Sequence, residues 1–366
     1  MVNVRVAQTK DKKEFYRLWK TCFGDSDAFC DWFFENRFSP KHSVVLETEG
    51  QIPSCMQAFP YSVYIRGKEV PGAMLCGVST HPDHRKKGYM GKIFSYEMNH
   101  LRDIGYCVAP HTPAVLPSYF SFGHFPVADA AYLKCNVIPS QTKSDNIFMI
   151  PEREWETLYP LYEKFSKKYS GIIKRSKDDF LRKAADYAAD GGKAIAYIVD
   201  KTVKAYAFYY LTESKLACVE AVAENGSWEP LMEGLFHLAE GLQFSVKLPP
   251  EIEISYPFTT LEKIPKGVMG LCNIGTLLQN LQLNVPYGFT VKDHIVPENN
   301  GTFDFRGLPY SGKSIFEISA GHLLQILVGY HSLEELRSEI IIHDEEKFTT
   351  INSLLPKQNC YIIDEY

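Results

Sequence analysis

The most constraining feature of this sequence is one continuous segment, residues 74–93, in which a strand pattern, a basic loop and a helix pattern follow one another. The run Met74–Val78 is apolar, as in a buried strand. Apolar residues then recur at helical spacing at Met90, Ile93, Phe94, Met98 and Leu101. A helix that begins directly after a strand presents free backbone N–H groups, which bind anions. Arg85, Lys86 and Lys87 add positive charge, so the segment predicts a site for a pyrophosphate.

The rest of the chain predicts several domains of mixed structure. A chain of 366 residues has room for two or three domains at ~150 residues each. Its 45% apolar and 23% charged residues are ordinary for globular proteins and argue against disorder. Strand and helix patterns alternate, a second set echoes the first, and the last part has short strands and one clear helix over 319–328. We therefore predict three units, near residues 1–140, 141–270 and 271–366.

Charge and cysteine content exclude several classes of protein. The net charge of −5 disfavours a nucleic-acid-binding protein, which is usually basic. The nine cysteines are widely spaced and form no CxxC pair, as expected of reduced thiols rather than of a disulfide frame or a zinc site. The start of the chain lacks the apolar run of a signal peptide, and no stretch reaches the ~18 apolar residues of a membrane span. We expect a cytoplasmic protein without a membrane or nucleic-acid partner and without a metal.

Two further motifs point to chemistry that we do not favour. Residues 307–314 match the Gly-x4-Gly-Lys-Ser pattern of a nucleotide-binding P-loop. A P-loop needs a helix that begins at its lysine, whereas the run Ser314–Ile318 has a strand pattern, so we predict a hairpin turn. None of the cysteines has a recognisable His or Asp partner, which disfavours a cysteine nucleophile.

The basic loop carries a resemblance to a known family. Arg85-x-x-Gly88 resembles motif A of the GNAT superfamily of N-acetyltransferases, although Met90 stands where that motif has a small residue. The longer string Gly77–Met90 is similar to the Eis (enhanced intracellular survival) acetyltransferases, in which bulky residues follow the glycine. Residues 118–125 resemble that family's Tyr-x-x-Phe-Gly motif. The last unit resembles its sterol-carrier-like C-terminal domain, including an apolar tail with a terminal aromatic residue, Tyr366.

The resemblance implies an α+β protein with tandem GNAT folds, each a mixed sheet flanked by helices, followed by a sterol-carrier-protein-like α/β domain. Residues 1–140 would then be the catalytic GNAT domain, residues 141–270 a second, degenerate GNAT-like domain, and residues 271–366 the sterol-carrier-like domain. The second domain has Ala223–Trp228 where a basic glycine loop would stand, so only the first is expected to be active.

The resemblance also implies a reaction: direct transfer of an acetyl group from acetyl-CoA to an amine. Tyr119 would be the general acid that protonates the departing thiolate, and the free carboxylate of Tyr366 would be the base. A tyrosine hydroxyl, with an ordinary pKa near ~10, is protonated at neutral pH and is able to donate. The implied cofactor contacts are Val78, Ser79, Thr80, Arg85, Lys86, Lys87, Gly88, Tyr89, Met90, Gly91, Ala114 and Val115.

The implied acceptor is an amine of a small molecule such as an aminoglycoside or polyamine, or of a peptide. The implied assembly is a homo-oligomer such as the hexamers of that family. Phe23 and Phe34 are weak candidates for the acceptor pocket, and we expect His124 to pack or to line a pocket. The competing interpretation is a non-catalytic protein that binds a lipid or a partner through its C-terminal domain. Lipid binding predicts a closed apolar cavity in residues 271–366, whereas catalysis predicts that the end of the chain lies near Tyr119.

Overall fold

The structure, a computed structural model, describes residues 2–140 and 146–365, which form an α+β arrangement of mixed sheets flanked by helices. The helices are α1 Lys12–Phe23, α2 Asp27–Asn36, α3 Tyr89–Asp103, α4 Tyr159–Ser166, α5 Lys177–Ala189, α6 Trp228–Leu238, α7 Ile274–Leu281, α8 Ala320–Val328 and α9 Glu345–Leu354. The strands are β1 Asn3–Val6, β2 Ser43–Thr48, β3 Gln51–Ile65, β4 Lys68–Thr80, β5 Val108–His111, β6 Phe125–Cys135, β7 Ile147–Ile150, β8 Ile173–Lys174, β9 Lys193–Val199, β10 Thr202–Leu211, β11 Lys215–Ala223, β12 Gln243–Leu248, β13 Thr260–Leu271, β14 Gly288–Lys292, β15 Gly301–Asp304, β16 Phe316–Ser319 and β17 Ile341–Ile342.

The described residues divide into two compact units. The first unit consists of the described residues within 1–128, 169–173 and 266–366. The second consists of those within 129–168 and 174–265. The first unit therefore joins the two ends of the sequence. The three-domain division near residues 140 and 270 stays a prediction.

The first unit contains a mixed sheet in the strand order β1-β2-β3-β4-β5-β13. Most neighbours are antiparallel, but β4 and β5 run parallel and pair at Gly72 and Val108. All four residues of β5 pair with β13 on the other edge of β5, with His111 opposite Val268, whereas β4 runs on past its pairing at Gly72 to Thr80. The end of β4 therefore runs beyond the part that pairs with β5 and borders an open space.

Helices cover both faces of this sheet. On one face α3 packs the apolar side chains that the helical spacing predicted, Ile93, Phe94, Met98 and Leu101, against strands β2 to β5. On the other face α1 and α2 bring together an aromatic cluster in which the rings of Trp19 and Phe33 lie 4.7 Å apart. Each fully buried side chain of this size contributes about 1.5–3 kcal/mol, so these two layers hold the strand ends in place.

The C-terminal part of the first unit has its own sheet, in the order β15-β14-β16-β17. Helix α8 is central to it, because every residue from Leu323 to Val328 is buried. The P-loop-like segment leads into strand β16 at Phe316 and no helix begins at Lys313, as its strand pattern predicted. The prediction of one clear helix in this region was incomplete: the described residues also form α7 and α9, whose lengths of 8 and 10 residues gave short patterns.

The second unit contains a sheet in the order β6-β12-β11-β10-β9-β7. Its core holds an ion pair between Arg175 and Glu220, whose side chains are 1% and 0% exposed and whose closest atoms are 2.8 Å apart. The hydroxyl groups of Tyr187 and Tyr206 also donate to this carboxylate. A buried pair needs such additional donors to offset its loss of hydration.

The strand-to-helix turn of the second unit differs chemically from the basic loop of residues 85–88. Between β11 and α6 stands Glu224, whose carboxylate accepts hydrogen bonds from Lys164 and Lys204. These bonds lower the pKa of Glu224, and the two lysines balance its charge, so the lysines at this turn are held by a carboxylate of the protein itself. Across the described residues, no helix combines the length and the apolar character that crossing a bilayer requires.

Candidate active site

A cavity of about 600 Å³ lies in the first unit at the separated end of β4. Residues from four stretches of the chain line it: the end of α1, the end of β4, the basic loop with the start of α3, and the turn that carries Tyr119. The lining consists of Cys22, Phe23, Val78, Ser79, Thr80, His84, Arg85, Lys86, Gly88, Tyr89, Met90, Gly91, Tyr119 and Phe122.

A β-bulge shapes the β4 side of this cavity. Cys55 on β3 faces Ser79 and Gln57 faces Cys76, so β4 has one residue more than β3 between these pairs. Gly77 within the bulge has φ of +57°, and a Cβ atom there would lie 2.6 Å from the Trp19 ring. Only glycine fits both the left-handed backbone and the aromatic ring. The bulge interrupts the pairing of β4 next to Val78, which frees backbone groups to face a ligand.

The basic loop and the start of α3 shape the opposite side. Lys86 and Gly88 both have left-handed backbones, with φ of +61° and +72°, and α3 begins at Tyr89. The first N–H groups of a helix have no partner within the helix, and the helix dipole makes this end positive. Arg85 donates from Nε to the carbonyl oxygen of Thr80 at 3.2 Å, which fixes the loop against the end of β4. The arrangement suits a pyrophosphate.

Tyr119 lies on a 3₁₀ turn, Leu116–Phe122, and contributes its side chain to the cavity. Its ring meets the His111 ring edge to face at 4.6 Å and the Phe94 ring at 5.5 Å. Burial raises the pKa of the Tyr119 hydroxyl above its ordinary value near 10. The hydroxyl is therefore protonated at neutral pH, as a proton donor must be.

Behind Tyr119 lies a buried pair of histidines that sequence reasoning did not connect. His111 Nε2 and His124 Nδ1 are 3.0 Å apart, and Phe94 packs edge to face against the His124 ring. Burial lowers the pKa of His111 far below its usual range and that of His124 to about 3, so both rings are neutral. His124 therefore packs beneath Tyr119. A Cβ on Gly270 would lie 2.0 Å from its Nε2 atom, so glycine is required there.

The tail of the chain also reaches this region. Residues Cys360–Asp364 are buried, and the Thr112 hydroxyl donates to the backbone carbonyl oxygen of Asp364 at 3.2 Å. Thr112 follows His111, whose ring contacts Tyr119. Tyr366, the predicted base, lies outside the described residues.

The structure brings most of the predicted cofactor residues together. Lys87, Ala114 and Val115 are exposed and do not line this cavity. The roles of all these residues, within and outside the lining, stay predictions. Sequence reasoning missed three lining residues: Cys22, which lies in no motif, and His84 and Phe122, which stand inside the two motifs but were not assigned a role. Phe23 was kept only as a candidate for the acceptor pocket. Eight of the nine cysteines are buried, and Cys22 is the half-buried exception.

The residues of the cavity fit acetyl-CoA by their donors and by their shape. The helix start and the basic loop offer positive potential to its phosphates, and Gly88 and Gly91 leave the backbone accessible because neither carries a side chain. The part of the chain that the structure describes holds no group of three or more His, Cys, Asp or Glu side chains that could hold a metal ion.

Comparisons with known proteins agree with this geometry. The family model of the acetyltransferase (GNAT) domain matches residues 3–127, and that of the sterol carrier protein domain matches residues 274–363. No curated protein matches the chain in sequence. The first matched range contains the bulge, the basic loop and Tyr119, so the cavity belongs to the GNAT domain.

Solved structures share the fold over the whole length of both chains. A probable N-acyltransferase from Enterococcus faecalis is 17% identical, with a TM-score of 0.83 and 100% coverage of both chains. A GCN5-related N-acetyltransferase from Anabaena variabilis is 13% identical, with a TM-score of 0.82 and the same coverage. Eis1 from Mycobacterium abscessus is 13% identical, with a TM-score of 0.75 and again 100% coverage of both. The chain is therefore an acetyltransferase that carries a GNAT domain followed by a sterol carrier protein domain, and its fold is Eis-like.

Proposed function

We propose that this protein transfers the acetyl group of acetyl-CoA directly to an amine. The observation that carries the proposal is the convergence of three features on one cavity of about 600 Å³: the β4 bulge, the positive start of α3 and the protonated hydroxyl of Tyr119. The bulge would hold the pantetheine arm and polarise the thioester carbonyl through the backbone of Val78, Ser79 and Thr80. Acetyl-CoA supplies the activated acetyl thioester.

The proposed transfer forms one C–N bond and breaks one C–S bond. The amine nitrogen, once neutral, attacks the thioester carbonyl carbon, and the carbon–sulfur bond then breaks. Tyr119 gives its proton to the departing sulfur, and the base removes a proton from the amine. We assign the base to the terminal carboxylate of Tyr366, and the approach of Asp364 to Thr112 supports this assignment.

The acceptor that we propose is a primary amine of an aminoglycoside-like or polyamine-like molecule, or of a peptide lysine. We place catalysis in the first GNAT domain alone, because the matching turn of the second unit, Ala223–Trp228, lacks an Arg-x-x-Gly loop. The homo-oligomer, the cytoplasmic location and the absence of a nucleic-acid partner stay predictions, as does the alternative that the C-terminal domain binds a lipid or a partner.

Mass spectrometry of the product tests the function. Untagged protein, acetyl-CoA and panels of aminoglycosides, polyamines and lysine peptides should give one acceptor class whose mass rises by one acetyl group. Replacing acetyl-CoA with longer acyl-CoA thioesters tests the choice of acyl group. Absence of product together with absence of acetyl-CoA binding would contradict the proposal and favour the binding-protein alternative.

A change at the end of the chain tests the base. Adding two glycines after Tyr366 moves the carboxylate while leaving the cavity residues intact, so turnover should fall sharply with acetyl-CoA binding unchanged. The same two glycines added before Met1 are the control. Full turnover by the C-terminally extended protein would remove the carboxylate from the mechanism.

A further inference from the structure

The turn between β3 and β4 contains a long cationic side chain in an unfavourable backbone conformation. Arg66 and Gly67 form the two-residue turn, with φ of +50° and +73°. Such turns favour Asn-Gly, because asparagine tolerates a left-handed backbone better than residues with long side chains. An arginine at this position is locally unfavourable, which points to a function for its side chain.

The guanidinium of Arg66 binds three carbonyl oxygens from two distant parts of the chain. Nε donates to Leu327 at 2.9 Å and Nη2 to Ile326 at 2.9 Å, both in the last turn of α8. Nη1 donates to Pro356 at 2.8 Å, where the C-terminal tail begins. The last carbonyl groups of a helix lack partners within it and carry negative potential, so a cation there is favourable. One side chain thus fastens the start of the tail to the end of α8.

Ser170 continues this fastening along the tail. Its hydroxyl donates to the carbonyl oxygen of Val328 at 2.5 Å and accepts from the Arg66 N–H at 3.2 Å. Its backbone N–H donates to Asn359, and its backbone carbonyl accepts from Tyr361. Arg66 and Ser170 together therefore hold the tail over residues 356–361.

Beyond Ser170 the tail follows a path with little lateral freedom. A Cβ on Gly267 would lie 2.6 Å from the Ile362 side chain, so glycine makes room for the tail there. Thr112 then holds Asp364. An extended chain spans at most about 3.3 Å per residue, so a tail held at Pro356, at residues 359–361 and at Asp364 has little slack between these points.

We propose that Arg66 is a positioning residue for acetyl transfer: it anchors the start of the C-terminal tail so that the terminal carboxylate reaches the amine. This inference rests on the proposed function, in which that carboxylate is the base. Arg66 does not line the cavity, so its effect should appear in kcat and leave the binding of acetyl-CoA unchanged.

The variant Arg66→Asn tests the proposal, because asparagine suits the turn but lacks the guanidinium. We expect amide hydrogen exchange in residues 357–365 to rise at least ~10-fold and kcat to fall at least ~10-fold, with unchanged acetyl-CoA affinity. Arg66→Lys keeps the charge but does not span three carbonyls, so it should be intermediate. The control is Lys201→Asn, a long cation at another left-handed turn position, with φ of +60°.

Deletion of Tyr366 in the wild type and in Arg66→Asn distinguishes two outcomes. In one, Arg66 does not anchor the tail; in the other, the proposed function itself is wrong. If Arg66 acts through the tail, Arg66→Asn should cost little further kcat once the terminal residue is absent. If the deletion of Tyr366 and Arg66→Asn lower kcat independently, so that the two fold-changes multiply in the double variant, the inference is overturned. An unchanged kcat in Arg66→Asn would overturn it as well. The exchange measurement needs no substrate, so unchanged exchange would overturn the anchor even if no acceptor amine were found.

Discussion

The Thr112 hydroxyl donates a hydrogen bond of 3.2 Å to the backbone carbonyl oxygen of Asp364, a residue 252 positions later in the sequence. The bond joins the end of β5 in the GNAT domain to the last described residues of the chain. His111, the neighbour of Thr112, contacts the Tyr119 ring at 4.6 Å. Asp364 in the C-terminal tail therefore lies beside the residues that contact the proposed general acid.

Thr112→Val removes this donor and keeps the size of the side chain. The buried Asp364 carbonyl then lacks this donor, at a local cost of about 1–3 kcal/mol. We expect faster amide exchange at the end of the tail and a reduced kcat, measured by exchange mass spectrometry and steady-state kinetics. Thr112→Ser restores the hydroxyl and should restore both values. Unchanged exchange in Thr112→Val would show that other contacts hold the tail.

Gly77→Ala tests the bulge on β4. The new Cβ would meet the Trp19 ring at 2.6 Å on a left-handed backbone, so the bulge must shift. We expect weaker acetyl-CoA binding and a loss of about 1–3 kcal/mol in stability, measured by calorimetry and denaturant unfolding.

Gly50→Ala is the matched control for that change. Gly50 has φ of +73° but no atom within 4 Å of its Cβ position. Alanine there therefore introduces backbone strain without a steric clash. Equal losses in acetyl-CoA affinity for the two variants would refute a specific role for the bulge.

Lys86→Gln tests the positive loop. An exposed lysine that faces the phosphates would contribute equally to the bound ground state and transition state, so KM for acetyl-CoA should rise about threefold while kcat stays unchanged. The difference from the wild type should shrink at high salt. Lys68→Gln, at the far end of β4, is the control. A fall in kcat with an unchanged KM would assign Lys86 a different role.

Glu97→Gln tests a buried carboxyl on α3 whose two oxygens have no hydrogen-bond partner among the described residues. Burial raises its pKa to about 8, so between about pH 4.5 and 8 the folded protein binds a proton that the unfolded chain releases. Stability should therefore fall as pH rises through this range.

The glutamine variant should lack that loss of stability. The free energy of unfolding of the variant minus that of the wild type should rise by on the order of 3–5 kcal/mol from pH 5 to pH 9. Urea unfolding at each pH measures this difference. Parallel stability curves for the two proteins would show that the Glu97 carboxyl is ionised at neutral pH.

Local pattern was sufficient for the strand, loop and helix at residues 74–93, because alternation, turn residues and helical spacing are all encoded within a few positions. The spacing predicts a helix over residues 88–104, and helix α3 runs from Tyr89 to Asp103. The placement of Tyr119 beside this segment came from family resemblance. Nothing in the composition near Tyr119 distinguishes it from the many packed aromatic residues.

Other parts of the site depend on contacts between residues that are far apart in sequence. The bulge at Gly77 is specified partly by Trp19, and the space for His124 is specified by Gly270. The anchor at Arg66 is visible only once α8 and the tail are in place. Such packing has no local signature, which also explains why Cys22 escaped prediction as a lining residue.

The comparison of Tyr119→Phe with wild type tests whether Tyr119 is the general acid of acetyl transfer. Phenylalanine keeps the ring that packs on His111 and Phe94 but cannot donate a proton. With an acceptor amine in excess, we expect acetyl-CoA to bind normally and acetylated product to form at least ~100-fold more slowly, as for loss of a general acid. Tyr106→Phe, which removes a hydroxyl outside the cavity, should leave the rate unchanged. Product formation by Tyr119→Phe at the wild-type rate would show that Tyr119 is not the general acid.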